Sequence, residues 1–148
     1  MIEDFRDLLR ELLDGDVQFL VVGAHALSVY GIPRATGDLD LWVRRDAANA
    51  QRIVDALLRF GAPLGALGIG IGDFTRPDTV AQFGLPPYRI DLMTSISGVE
   101  FDDAWSARIH GVIEGVEVPV IGQTSFIANK RASGRRKDAA DLESLGEL

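Results

Sequence analysis

The chain has 148 residues and a formal net charge of −7, and 47% of its residues are hydrophobic and 25% charged. These proportions are typical of globular proteins and exclude a disordered or collagen-like chain. The chain contains no cysteine, which excludes disulfides, thiolate zinc sites, iron–sulfur clusters and cysteine nucleophiles. The length suits one folded unit, so we predict a single domain over residues 1–148.

The first elements show clear local patterns. Apolar residues at helical spacing predict an amphipathic helix over residues 2–14 that stops near Gly15. The apolar, β-branched run 17–22 predicts a buried strand. Residues 24–30 then predict a short helix that Gly31 ends.

Strict alternation of polar and apolar residues over 38–43 predicts a second strand. Asp46 can cap the helix that follows, whose apolar side is predicted to include Leu57 and Leu58, and Gly61 ends this helix.

The Gly- and Pro-rich stretch 61–84 shows no clear element. The remaining predicted elements are strands at 88–94 and 116–121 and helices at 101–109, 124–132 and 138–145. This order predicts an α/β (α+β) fold with a short mixed β-sheet flanked by helices and a helical C-terminal segment.

No segment of the sequence resembles a signal peptide or a membrane span. The N-terminus is charged throughout, and the longest uncharged run, 17–33, contains polar residues and ends in proline. We therefore predict a cytoplasmic protein without a membrane partner. The acidic net charge argues against a general affinity for nucleic acid, but five basic residues within 130–137 favour a local anionic ligand.

Three aspartates lie in strands that are otherwise apolar. Asp38 and Asp40 are two positions apart on one strand, so their side chains leave the same face with Cα atoms roughly 7 Å apart, while Leu39 and Leu41 point into the core. Asp91 lies in a later apolar strand. Grouped carboxylates repel one another unless a cation lies between them, and Mg²⁺ prefers such oxygen ligands. The alternative is that some of these aspartates are simply solvent-facing strand positions.

A glycine precedes this pair at a change from strand to helix. Gly23 would let a phosphate approach backbone N–H groups at the start of the helix. A phosphate site followed by a carboxylate pair and a distal carboxylate is the layout of metal-assisted nucleotidyl transfer.

In these residues the sequence resembles the nucleotidyltransferases of the DNA polymerase beta superfamily. Their signature is a hydrophobic strand, Gly followed by Ser or Gly, a short helix, Asp-x-Asp or Asp-x-Glu, and a distal Asp, and it is matched by Gly23, Asp38, Asp40 and Asp91. A wider resemblance, over most of 17–145, is to the subgroup of AbiEii/AbiGii-type abortive-infection toxins. It is carried by FLVVGAHALSVYGIPRATGDLDLWV, PPYRIDLMT and IANKRASGRRKDAADLESL.

The resemblance implies transfer of a nucleoside monophosphate from an NTP to an acceptor hydroxyl, with release of pyrophosphate. Asp38 and Asp40 would hold two Mg²⁺ ions, with Mn²⁺ as an alternative. Asp91 would share the metal next to the acceptor and take the acceptor's proton.

The resemblance also implies a set of nucleotide-binding residues. The backbone N–H groups of Gly23 and Ala24 would hold the phosphates, Arg34 and Thr36 would contact phosphate oxygens, and Lys130 would lie near the phosphates. Ala24 departs from the family pattern, because a Ser hydroxyl commonly helps to hold phosphate at this place.

Several of these positions have alternative interpretations. Arg34 can be a solvated loop residue, and Lys130 can belong to a plain solvated basic face. Asp138 fits the family's final motif but can also be the N-cap of the last helix, and Asp141 can pair with Arg135 or Lys130.

Three functions from different classes stay open beside the general one. The chain can be a non-catalytic member that binds a nucleotide or a partner protein, as in a toxin–antitoxin pair. It can modify a small molecule such as an aminoglycoside. It can also add nucleotides to an RNA such as a tRNA end, in which case the basic residues of 130–137 would contact the acceptor strand.

Overall fold

The structure, a computed structural model, describes residues 2–33, 37–85 and 88–146. The helices in these ranges are α1 (Ile2–Asp14), α2 (Gly23–Val29), α3 (Ala47–Phe60), α4 (Leu64–Leu67), α5 (Phe101–Ser106), α6 (Gln123–Ser133) and α7 (Arg136–Ser144), with a 3₁₀ helix at Ile71–Phe74. The strands are β1 (Phe19–Val22), β2 (Asp38–Val43), β3 (Val80–Leu85), β4 (Tyr88–Met93), β5 (Ile109–Ile113) and β6 (Val116–Val120).

The six strands form one mixed sheet in the order β3-β4-β2-β1-β6-β5. β2 runs parallel to β4 and β1 runs parallel to β6, whereas the pairs β1–β2, β3–β4 and β5–β6 are antiparallel. This architecture confirms the predicted fold class, a mixed sheet flanked by helices with a helical C-terminal segment. None of the described helices combines the length and apolar character needed to cross a membrane.

Alternation along β2 separates the core from the polar side of the sheet. Leu39 and Leu41 are fully buried, as predicted. Trp42 lies on the other face and is only 2% exposed, because it packs edge-on against Phe101 of α5 with ring centroids 5.0 Å apart. That face is therefore closed by aromatic packing at the Trp42 end, and only its other end stays open to a ligand.

Helix α3 begins and ends as predicted. The Asp46 side chain accepts a hydrogen bond from the Asn49 backbone N–H at 2.7 Å, and Gly61 ends the helix with a left-handed φ of +96°. The prediction for Leu58 is wrong, because this side chain is 57% exposed while its neighbour Leu57 is fully buried. Consecutive helix residues point about 100° apart, and only Leu57 faces the core.

Two edge strands were not predicted. The predicted helix 101–109 ends at Ser106, and Ile109 already belongs to β5; the stretch 61–84 contains α4, the 3₁₀ helix and most of β3. Both strands lie at the edges of the sheet, where Val80 is 54% exposed and Val112 67% exposed. Because a partly exposed edge strand needs no strict alternation, its sequence carries little of the signal that reveals a central strand.

A buried amide joins α3 to the two central strands. Asn49 is 1% exposed, its Oδ1 accepts a hydrogen bond from the Gln18 N–H at 2.8 Å, and its Nδ2 donates to the Arg44 carbonyl at 2.8 Å. Gln18 directly precedes β1 and Arg44 directly follows β2. Asn49 thus satisfies backbone groups where both strands meet the first turn of α3.

We predict that Asn49→Ala lowers the free energy of unfolding by about 2–3 kcal/mol, because the Gln18 N–H and the Arg44 carbonyl lose a partner in a partly buried place. Urea titration measures the change. Gln51→Ala is the matched control, since Gln51 is exposed on the same helix, and it should change the free energy by less than about 0.5 kcal/mol. Equal effects of the two substitutions would contradict the role assigned to Asn49.

Candidate active site

A cleft of about 610 Å³ opens between the polar ends of β2 and β4 and the turn that joins α6 to α7. Its charged lining residues are Asp38, Asp40, Arg89, Asp91, Lys130, Arg135 and Lys137. The volume is in the range of small-molecule sites, and the two signs of charge lie on different elements: the carboxylates on the strands and most of the cations on α6, α7 and their turn.

The structure brings most of the predicted site residues to this cleft. The three aspartates, Gly23 and Lys130 all line it, but Ala24 does not. The predicted phosphate contacts Arg34 and Thr36 lie outside the described residues.

Strand register brings the aspartates together. Asp38 and Asp40 leave the same face of β2, and the parallel register with β4 places Arg89 beside Asp38 and Asp91 beside Asp40. Neighbouring strands are about 4.8 Å apart, and register partners point to the same face. Four charged side chains therefore form a compact group on one face of the sheet.

Arg89 was not singled out from the sequence, although it lies two positions before Asp91 and must share its face. Its Nε donates to Asp91 Oδ1 at 3.1 Å, and its Nη2 donates to Asp38 Oδ2 at 3.3 Å. Hydrogen bonding to Asp91, followed by the negative charges of Asp91 and Asp38, raises the pKa of Arg89 further above its usual value. The guanidinium group is thus the cation that joins two of the three carboxylates.

The surroundings of Asp40 disfavour the charged form of its carboxyl group. Its pKa is raised to about 6, first by burial and then by the negative charges of Asp91 and Asp38, while the positive charge of Lys137 acts in the opposite direction. A carboxyl group with such a pKa is easily neutralised by a proton and gains strongly from a nearby cation.

Gly23 makes room for this carboxylate. The glycine has a left-handed φ of +70°, and a Cβ at this position would lie 2.4 Å from Asp40 Oδ2. A side chain at this position would clash with the Asp40 carboxylate, so a glycine is required between the start of α2 and β2. Gly23 also lines the cleft, where the sequence predicted a phosphate site.

The aspartates have the donor chemistry of a magnesium site, since carboxylate oxygens are the ligands that Mg²⁺ and Mn²⁺ prefer. Their arrangement is not yet that of a metal site: among the described residues, no group of three or more His, Cys, Asp or Glu side chains is placed to hold a metal ion. The Arg89 guanidinium lies between Asp38 and Asp91. The carboxylates suit a divalent cation once the Arg89 guanidinium has moved away from Asp38 and Asp91.

The opposite wall contains a buried ion-pair cluster. Lys130 is 5% exposed, and its Nζ lies 3.1 Å from Asp138 Oδ1 and 3.4 Å from Asp141 Oδ2. The prediction that Asp141 pairs with Lys130 is confirmed. The alternative of a solvated basic face is wrong for Lys130, because helix α7 folds back over it and Asp138 and Asp141 of that helix bury its ammonium group.

Asp138 contacts residues on both sides of the α6–α7 turn. It is fully buried and occupies the third position of α7, whereas Arg135 is the N-cap residue, so the interpretation of Asp138 as N-cap is wrong. Its carboxylate accepts hydrogen bonds from the Arg135 backbone N–H, from Arg135 Nε at 2.8 Å and from the Ser133 hydroxyl. Burial alone would raise the pKa of Asp138, but hydrogen bonds and charges from Arg135 and Lys130 outweigh it and lower the pKa.

The comparison with protein families identifies the class of protein to which this fold belongs. Residues 1–148 match the family described as “Nucleotidyl transferase of unknown function (DUF2204)”, and the chain belongs to that family. This confirms the predicted class of enzyme.

Its fold is similar to that in a crystal structure of “a putative nucleotidyltransferase (TM1012) from Thermotoga maritima”, with a TM-score of 0.63 and 17% identity over 97% of this chain and 91% of that chain. The comparison with curated proteins gave no match. The resemblance to the AbiEii/AbiGii-type subgroup stays a prediction.

We predict that Asp40→Asn stabilises the protein at pH 8 and does so less at pH 5. The folded-state pKa of about 6 lies above the usual 3.8. Asp40 is therefore favourable to folding in its protonated form, and this contribution is fully present below pH 3.8 and is lost as the pH rises through 6. At pH 8 the charged carboxylate destabilises the folded protein. Replacing the carboxylate should raise the free energy of unfolding by about 1–2 kcal/mol at pH 8, or Tm by roughly 3–6 °C.

Thermal unfolding at both pH values measures this effect. Asp55→Asn is the control, because Asp55 is exposed on α3 and the same chemical change there should leave Tm nearly unaltered. A lower Tm for Asp40→Asn at pH 8 would show that the carboxylate is not under the repulsion described here.

Proposed function

We propose that the protein transfers a nucleoside monophosphate from an NTP to a hydroxyl group of an acceptor, with pyrophosphate as the leaving group. The observation that carries the proposal is the pairing of two opposite walls in one cleft. Three strand carboxylates suit divalent cations, and the cations of α6, α7 and their turn face them across the space where a triphosphate would lie. Membership of a nucleotidyl transferase family supports the same reaction class.

In this proposal Asp38 and Asp40 hold two divalent ions, Mg²⁺ or Mn²⁺, and Asp91 shares the one beside the acceptor. Bound there, the ions would offset the charge of the triphosphate and lower the pKa of the acceptor hydroxyl. The acceptor oxygen forms a bond to the α-phosphorus while the bond to pyrophosphate breaks, and Asp91 takes the hydroxyl proton.

Arg89 has to release both of its carboxylate partners for this to happen. Its side chain is 37% exposed, so it has room to turn away from Asp38 and Asp91. The backbone N–H groups at Gly23 and Ala24, with Arg34 and Thr36, are our proposed further contacts to the phosphates.

The surface around the cleft favours an anionic acceptor such as an RNA end over a cationic small molecule. The exposed side chains of Arg131, Arg135 and Lys137 surround the α6–α7 turn, and exposed cations of this kind attract a nucleic-acid backbone. The resemblance to AbiEii/AbiGii-type toxins supports the same acceptor class and a cognate partner protein.

A non-catalytic role is the second candidate, and Ala24 is the observation that favours it. An alanine has no hydroxyl to donate to a phosphate at the start of α2. In this role the cleft binds a nucleotide or a partner protein without transfer.

We predict that pyrophosphate release from one of the four NTPs requires Mg²⁺ or Mn²⁺ and falls at least about 100-fold in Asp38→Asn and in Asp40→Asn, because each loses a proposed metal ligand. A coupled pyrophosphate assay with total RNA as acceptor measures it. Asp55→Asn, outside the cleft, should keep the wild-type rate.

Isothermal titration of the same NTPs separates the candidates. Metal-dependent binding that is lost in Asp40→Asn, together with pyrophosphate release, supports transfer. Binding without release under any acceptor condition would favour the non-catalytic role, and full activity in both aspartate variants would contradict the proposed site.

A further inference from the structure

We propose that Lys137, together with Arg135, makes the protein's cationic contacts to the triphosphate, and that Lys130 serves instead as the buried ion-pair partner that holds the α6–α7 turn together. The inference rests on the proposed function, since it assigns the residues that bind the NTP. It also reverses the expectation, drawn from the family resemblance, that Lys130 lies near the phosphates.

Lys130 has its charge already matched. Its ammonium group lies between Asp138 and Asp141, which are fully buried and 1% exposed respectively, and 5.1 Å from the centre of the Phe126 ring. A phosphate could recruit this ammonium only by drawing it away from two buried carboxylates, which is strongly unfavourable. Lys130 therefore lines the cleft without being available to a ligand there.

Arg135 is held at the mouth of the cleft by the same cluster. Its Nε donates to Asp138 Oδ2 at 2.8 Å, yet its side chain is 65% exposed and lines the cleft. The Nε and Nη2 edge of the guanidinium group is thus bound to a buried carboxylate, while the side chain as a whole stays largely exposed. A fixed, partly exposed guanidinium group is well suited to phosphate oxygens.

Lys137 faces the carboxylate wall from the first turn of α7. It is exposed and lines the cleft, and its positive charge acts on Asp40 across it. Arg136, the residue before it, is equally exposed but does not line the cleft. Successive helix residues point about 100° apart, so the helix directs Lys137 towards the aspartates and Arg136 away from them.

The geometry suits a bound triphosphate. Ions held by the aspartates would meet it from the strand side, and Lys137 and Arg135 would meet its oxygens from the helix side. Charge-assisted hydrogen bonds from lysine and arginine are the strongest common contacts to phosphate. Cations on this wall would also offset the negative charge that gathers on the leaving pyrophosphate.

Neighbouring residues provide a matched pair of variants. We expect Lys137→Ala to weaken binding of the preferred NTP with Mg²⁺ at least about tenfold, since a charge-assisted contact is lost. Arg136→Ala removes the same charge one residue away and should change the affinity less than about twofold. Isothermal titration of ATP, GTP, CTP and UTP into each variant measures both, and circular dichroism confirms that each is folded.

A chemical readout tests the assignment independently of substitution. The chain has two lysines, Lys130 and Lys137. Amine acetylation followed by peptide mass spectrometry should modify Lys137 quickly and Lys130 slowly. The NTP with Mg²⁺ should protect Lys137 over the concentration range in which it binds.

The outcomes separate this inference from the proposed function. If the wild type binds no NTP, both fail. If the wild type binds but Lys137→Ala and Arg136→Ala bind equally well and Lys137 is not protected, the proposed function stands and the assignment of Lys137 is overturned.

Discussion

The repulsion among three carboxylates is the constraint around which the site is built. The parallel register of β2 and β4 places Asp40 beside Asp91, which is 7% exposed, with Asp38 on the same face. Burial and these neighbours raise the pKa of Asp40 to about 6. The Arg89 guanidinium bridges Asp38 and Asp91, and Gly23 leaves the space that the Asp40 carboxylate fills. Such an arrangement favours any cation that enters it.

The cleft wall formed by α6, α7 and their turn carries positive charge and faces the aspartates. Asp138 is fully buried and bonded to Lys130 and Arg135, so ion pairs to one buried carboxylate fix the turn between α6 and α7. Both lysines of the chain lie at this turn, one inside the cluster and one outside it. The buried lysine stabilises the turn, and the exposed Lys137 stays available to a ligand.

The sequence predicted those features that depend on residues within a single strand or helix, such as which face of a strand is buried and where a helix ends. The alternation of β2 placed Asp38 and Asp40 together, and Asp46 and Gly61 fixed both ends of α3, because these signals act within a few residues. The edge strands β3 and β5 were missed since exposed positions relax the alternation. Pairing across strands or helices was harder to predict: the approach of Asp91 to Asp40 depends on register, and the burial of Lys130 depends on how α7 folds back. The apolar pattern of its strand singled out Asp91 and the family resemblance supplied Lys130, but only the three-dimensional structure showed their different surroundings.

The proposed function requires that one cleft hold metal ions on its strand side and a triphosphate on its helix side. Anomalous X-ray diffraction from crystals grown with Mn²⁺ and a non-hydrolysable NTP analogue tests it most directly. We expect an Mn²⁺ peak at coordination distance from Asp38 and Asp40, with Arg89 displaced and the phosphates in contact with Lys137. An ordered analogue bound elsewhere on the protein, or phosphates in this cleft with Arg89 still bridging Asp38 and Asp91, would contradict it.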